Sequence, residues 1–324
     1  MMRRHHPAPR FRQRGAALLM ALIIVTLIST LAVSMVWQQW RAVQVETAER
    51  ARQQSAWILT GALDWTRIIL KEDARRSGGG IDHLGEPWAV PLAEARLSTF
   101  LAADKDNTDD APETFLSGHI VDANARYNLR NLVDATGKLV PAEVEVLQRL
   151  CSSLSISVTV AQAIAVGLKD SIGALHVPPP PDVNPNPPLM PTRLDQLAWF
   201  GVDPQTLRLL EPYVILLPEP TKVNLNTAPR EVLAAVIPNV DLGSAERLVQ
   251  VRQRSPFKDL TSAQANLAGI TLSADKVAVT SNYFIVTGRL RLNTQVLEQR
   301  SLVRRQDGNV VPLSREWVNS NDPG

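Results

Sequence analysis

Arg12-Gln13-Arg14-Gly15-Ala16-Ala17-Leu18-Leu19 sets a basic segment against an apolar one across a single peptide bond. Upstream lie Arg3, Arg4, Arg10, Arg12 and Arg14, with no acidic residue among them. Downstream, Ala16 to Trp37 is 22 residues without a charge, a glycine or a proline. About 20 apolar helical residues span a bilayer, so the length suffices. The basic leader stays cytoplasmic by the positive-inside rule, and Trp37 and Trp40 fall where aromatic rings favour the far interface. Three kinds of signal are compatible with this pattern. A secretory signal would use a small-x-small site such as Ala32-Val33-Ser34. An uncleaved anchor explains the hydrophobicity equally well. In the third, the leader is cut between Gly15 and Ala16 and the apolar segment stays on the mature chain. Gly15 directly against the apolar run favours that reading.

The residues beyond the span continue its helical pattern. No proline occurs between Ala16 and Glu86, and Gly61 is the one interior glycine before Gly78. Val45, Ala48, Ala56, Leu59, Leu63 and Leu70 recur at helical spacing, while Arg50, Arg52, Asp64, Arg67 and Lys71 cluster elsewhere. One helix from about Ala16 to Asp73 is predicted, roughly 85 Å at 1.5 Å per residue. Ser77-Gly78-Gly79-Gly80 terminates it.

Beyond the glycines, Pro91 to Ala103 reads as a short helix and Asp104 to Asp110 as a solvated acidic loop. Phe115 to Val121 has strand character. Asp122-Ala123-Asn124-Ala125-Arg126-Tyr127-Asn128-Leu129-Arg130-Asn131-Leu132 is dense in Asn and Asp, which favours turns made by side chain to backbone bonds. Helices are predicted from Pro141 to Cys151 and from Ser157 to Leu168. Pro178-Pro179-Pro180-Pro181, then Pro185, Pro187, Pro188 and Pro191, form a stiff connector. Short helices come next at Arg193–Phe200 with Thr192 as cap, at Asp203–Leu210, after Thr227 as N-cap, and at Ser244–Gln253, Thr261–Leu267 and Ser273–Val279. Tyr283–Leu292 and Gln295–Arg304 then read as two strands with a turn near Asn293-Thr294. A helical block between such distant strands suits an insertion into one sheet.

Composition excludes several classes. Lys and Arg total 34 against 32 Asp and Glu, a net charge of +2, which gives no field that points to nucleic acid. The single Cys151 cannot form an intrachain disulfide and sits in an apolar helix pattern, as a small buried hydrophobe. His83, His119 and His176 are scattered, outside any paired metal spacing, and no P-loop, Gly-x-Ser-x-Gly or Gly-x-Gly-x-x-Gly occurs. No catalytic residue, cofactor or metal is expected.

The junction, the long helix, Arg126–Leu132, Leu194-Asp195-Gln196-Leu197, Leu210-Glu211-Pro212-Tyr213-Val214 and, most specifically, Val223-Asn224-Leu225-Asn226-Thr227-Ala228 resemble the K-type minor pseudopilins of bacterial type II secretion systems. The resemblance covers nearly the whole chain. It implies an α+β fold: a pilin-like long N-terminal helix packed on a small antiparallel sheet, with a large inserted all-helical domain. The implied layout is a leader at 1–15, a transmembrane part at 16–37, a pilin-like domain at 38–132 and 281–324, and the insert at 133–280. It also implies cleavage between Gly15 and Ala16 and methylation of Ala16 by the prepilin peptidase. The implied place is a single pass through the inner membrane with the bulk in the periplasm. The implied partners are I- and J-type minor pseudopilins, with an H-type subunit and exported proteins as further candidates. The implied work is capping the pseudopilus tip and starting its assembly.

Two positions depart from the pilin pattern. Most pilin-like subunits carry a glutamate at the fifth mature position; here it is Met20, as in other K-type subunits. A carboxylate inside the bilayer costs about 2.5–3.5 kcal/mol unless it finds a partner. A tip subunit has no neighbour above it to supply one. Some family members also resemble calcium binders, with acidic residues between helices of the insert. Here that region offers Asp170 and Asp182, too few for a hard-cation site. The Asn-Leu-Asn-Thr-Ala segment with its short helices is also similar to helix-hairpin-helix DNA-binding modules of competence type. Those present glycine-hairpin amides to phosphate. Ile237-Pro238-Asn239-Val240-Asp241-Leu242-Gly243 has a single glycine and an aspartate there, so nucleic acid is not expected.

Overall fold

The computed structural model describes residues 14–76, 80–97, 114–176, 178–267, 269–292 and 295–318. Most of the leader, the start of the glycine terminator, the acidic loop at Asp104–Asp110 and the turn at Asn293-Thr294 lie outside the described residues. The chain divides into two units, Met1–Ile58 and Leu59–Gly324.

Helix α1 (Arg14–Arg76) is continuous over 63 residues, two residues longer at its start than expected and three at its end. Over its described residues the first unit is this helix alone. Every side chain from Gly15 to Arg50 is exposed, and the helix is long and apolar enough to cross a membrane. Thr26 and Thr30 hydroxyls donate to the carbonyls of Ile23 and Leu27, so these two polar groups inside the apolar run are satisfied within the helix.

In the second unit, the final turns of α1 lie on a five-stranded antiparallel sheet. Its strands are β1 (Leu92–Arg96), β2 (Thr114–Asp122), β7 (Tyr283–Leu292), β8 (Gln295–Gln306) and β9 (Asn309–Val318), in the order β1-β2-β7-β8-β9. Leu63 and Leu70, two helical turns apart on one face, are buried against Trp88, Phe284, Val286, Val303 and Val310. Trp88 meets Phe284 edge to face at 5.2 Å, a preferred aromatic geometry. Gly288 lets the helix approach the sheet and Gly118 lets β2 lie close to β7; the two glycines face each other across these strands. A Cβ on Gly288 would lie 3.0 Å from Leu59 Cδ2, and one on Gly118 would lie 2.6 Å from the Thr287 carbonyl oxygen.

Between β2 and β7 the chain builds a block around its own core. Its helices are α2 (Pro141–Ser153), α3 (Val158–Gly173), α4 (Pro204–Leu210), α5 (Arg230–Val236), α6 (Leu242–Arg254) and α7 (Leu260–Gln264). Leu147, Leu150, Cys151, Ile164, Leu168, Leu197, Leu225, Val232 and Leu233 are among its buried residues. Two short parallel ladders interrupt the helices. One pairs β3 (Tyr127–Asn128) with β4 (Val214–Ile215), the other β5 (Val223–Asn224) with β6 (Val277–Ala278).

Several expectations need correction. Leu92–Arg96 is a strand and not a helix, because it hydrogen-bonds to the free edge of β2; residues 98–103 of that expected helix lie outside the described residues. Of the expected helix at Ser273–Val279, residues 274–276 form a turn and Val277–Ala278 is β6, drawn into extended form by β5. Arg193, not Thr192, occupies the N-cap of the 3₁₀ turn Leu194–Phe200. Thr192 and Arg193 amides both donate to Gln196 Oε1. Strand β9 is an addition to the two C-terminal strands expected. Asp307 and Gly308, at φ 52° and 72°, form the left-handed pair typical of a tight hairpin before it.

Candidate functional site

Gly15, Ala16 and Met20 all fall on the first turns of α1 and are exposed, Met20 at 68 %. A fully accessible apolar side chain five residues into the apolar run suits lipid or another apolar helix.

The specific motif near residue 224 lies at a buried polar seam, where the helical block leaves β2 and rejoins β7. Asp122 ends β2 and is 1 % exposed. Its Oδ2 accepts from Ser281 Oγ at 2.6 Å, Thr227 Oγ1 at 2.5 Å and Asn224 Nδ2 at 3.0 Å. Its Oδ1 accepts from the Asn124 amide at 2.7 Å, which shapes the turn after the strand. Thr227 is therefore not the expected cap of α5, because the buried carboxylate takes its hydroxyl. Pro229 is the N-cap residue and makes no side-chain cap bond. Asn224 also donates to the Asp82 carbonyl at 3.0 Å and to Ser281 Oγ at 2.9 Å. Asn226 exchanges two bonds with the backbone of Phe257, imitating a strand partner. Arg252 is 8 % exposed and donates to the Leu225 carbonyl. Burial lowers the Arg252 pKa to about 10. The motif is thus a set of side chains standing in for secondary structure where several segments cross.

Arg305 closes the other side of the seam. Its Nη2 donates to both carboxylate oxygens of Asp82 at 2.6 Å and to the Ser281 carbonyl at 2.7 Å, and its Nη1 to Asp73 at 3.2 Å. Asp82 in turn accepts the Ser281 amide at 2.7 Å. Burial, then the charges of Glu86 and Asp82, push the Asp73 carboxyl up to about 6. Burial pushes Asp122 up to about 6 as well. Asp73, Asp82 and Glu86 oxygens lie within 4.8 Å of one another, and the guanidinium is the cation that this group faces. Neither Asp82 nor Arg305 stands out in the sequence. Asp82 and Ser281 are 199 residues apart, so no local pattern marks the contact.

Two further readings meet the geometry here. In the loop between α5 and α6, Asn239 is left-handed at φ 62°. Asp241 accepts the Ser244 amide at 2.7 Å, so a protein carboxylate covers the helix start that a phosphate would need. In the connector region, Lys169 reaches both Asp170 and Asp182. Cys151 is fully buried, and burial pushes its thiol up to about 11, as fits a core residue.

A long apolar-started helix packed on an antiparallel sheet, with a helical block spliced between adjacent strands, defines a pilin-like subunit. Comparison with known proteins narrows the class. Two family models described as type II secretion system protein K match residues 125–219 and 223–282. The type II secretion system protein K of Pseudomonas aeruginosa is 27 % identical over 94 % of this chain and 92 % of its own length. That of Pectobacterium carotovorum is 28 % identical over 95 % and 97 %, and that of Klebsiella pneumoniae 28 % over 94 % and 97 %. A chain in the solved GspK-GspI-GspJ complex of enterotoxigenic Escherichia coli has the same fold at TM-score 0.63. It is 20 % identical, and the match covers 84 % of this chain and 99 % of that one. The chain is thus similar over nearly its whole length to type II secretion system protein K, which supports a minor pseudopilin role.

Proposed function

We propose that this chain is a minor pseudopilin that caps the tip of the periplasmic pseudopilus and helps initiate its assembly for export of folded proteins across the outer membrane. Met20 carries the reading. A glutamate at that place gains from a neighbour stacked above, and a tip subunit has none to gain from. The helical block supports it, since a subunit enlarged by a second core leaves less room for another to stack. In this reading 1–15 is the leader and 16–37 the transmembrane part. Residues 38–132 and 281–324 form the pilin-like domain, and 133–280 the insert. The prepilin peptidase cuts between Gly15 and Ala16 and methylates Ala16. One pass anchors the chain in the inner membrane, with the bulk in the periplasm.

The E. coli complex, which joins its K-type subunit to I- and J-type ones, indicates the partners; an H-type subunit and exported proteins are further candidates. The work is shape and association, not catalysis: the polar groups at the seam hold segments of the chain to one another. Nucleic acid is not a partner, as Asp241 supports.

Labelling the chain on over-assembled pseudopili tests the position. Label at one end of each fibre is expected; label along the length would overturn the tip reading. Intact mass of a Gly15→Leu chain extracted from membranes should show the leader retained, and a mature start at Ala16 would sink the processing site.

A further inference from the structure

The connector after α3 is stitched to that helix at four places. Lys169 Nζ donates to the Asp182 carbonyl at 2.8 Å and to its Oδ2 at 3.1 Å, and lies 3.6 Å from Asp170 Oδ1. The Asn184 amide donates to Asp170 Oδ1 at 3.4 Å. Ser171 Oγ donates to the Leu189 carbonyl at 3.3 Å. Val183 sits against Gly173, where a Cβ would come within 2.5 Å of its methyl.

Two carboxylates and a carbonyl converging on one point is the donor chemistry of a hard cation. The family resemblance carries calcium at insert helices of some members. The residues present here do not fit it. An ammonium already stands among these oxygens, and its side chain is 16 % exposed beside Asp170 at 10 %. A divalent ion at that point would have to displace a lysine held by the next residue in the helix. Lys169 beside it holds the Asp182 carboxyl below the usual carboxylate range, as expected of an oxygen that already has its cation.

We propose that the Lys169 ammonium is the resident cation of this contact, so that the connector is fastened to α3 by a covalently held charge and the insert does not depend on divalent metal. The charge cannot dissociate when the surroundings lose calcium, whereas a bound ion can. The inference concerns how the insert is held and does not rest on the tip reading.

Hydrogen exchange of the Asp182, Val183, Asn184, Asn186, Leu189 and Met190 amides, the non-proline positions of the connector, in the full-length chain in detergent, tests it. Wild type should exchange at the same rate in EDTA and in millimolar calcium. Lys169→Gln should exchange about tenfold faster or more over this segment, and Lys169→Arg, which keeps the charge, should stay near wild type. Faster exchange of wild type in EDTA would overturn the proposal, and so would wild-type protection in Lys169→Gln. The EDTA comparison needs no variant, so it decides even if a substitution impairs folding.

Discussion

Gly288 lies beneath Leu59: a Cβ there would stand 3.0 Å from Leu59 Cδ2, close enough that the leucine would have to shift by a few tenths of an ångström. The helix of the second unit meets its sheet at this point. Gly288→Val should destabilise the chain by about 1–3 kcal/mol through overpacking. Leu59→Ala combined with it should cost less than the two changes added together. Denaturation midpoints of the four chains would settle it; strict additivity would mean that Leu59 is not the group displaced.

Arg305 and Asp82 form a buried pair, 11 % and 1 % exposed at the side chain. Arg305→Met should cost about 3–5 kcal/mol because it leaves the Asp82 carboxylate without its cation. Adding Asp82→Asn should recover part of that loss. A double-mutant cycle in denaturant measures the coupling.

Asp122 has a folded pKa raised from 3.8 to about 6 by burial. The sign is set by proton uptake: the folded state holds its proton more tightly than the unfolded one. Its contribution is therefore complete below about pH 4 and is lost as pH rises through 6. Asp122→Asn cannot titrate, so stability measured from pH 5 to 7.5 should fall less steeply in the variant than in wild type. Equal slopes would remove Asp122 from the titrating groups.

Asn226 bonds both the amide and the carbonyl of Phe257 while 2 % exposed. Asn226→Ala strands two buried backbone groups, each worth about 1–3 kcal/mol. A loss of about 2–5 kcal/mol is expected in the melting of the helical block. Asn226→Asp should be nearly as harmful, since a carboxylate cannot donate to the Phe257 carbonyl.

The sequence is readable where a single element decides its own conformation. The long helix shows in spacing and in the lack of proline, and β2, β7 and β8 in their alternation. It misleads where a partner decides. Leu92–Arg96 and Val277–Ala278 take extended form because another strand offers them bonds. Thr227 looks like a cap because Pro229 and Glu231 come after it, yet Asp122, 105 residues upstream, claims its hydroxyl. Met20 draws its meaning only from the family resemblance, whereas the charge break at Gly15 and Ala16 is legible directly. Asp82 and Arg305 are not, since 223 residues separate two charges that only the fold brings together.

The register pairs Asp122 directly with Phe284. The helical block therefore departs from one strand and returns to its neighbour at a single rung of one ladder. To the sheet, that whole block is topologically a hairpin turn. A short turn could in principle replace it without breaking a rung, and another compact module could be hung at the same place. The architecture concentrates this freedom at one place: the growth point for new surface is a single gap between adjacent strands.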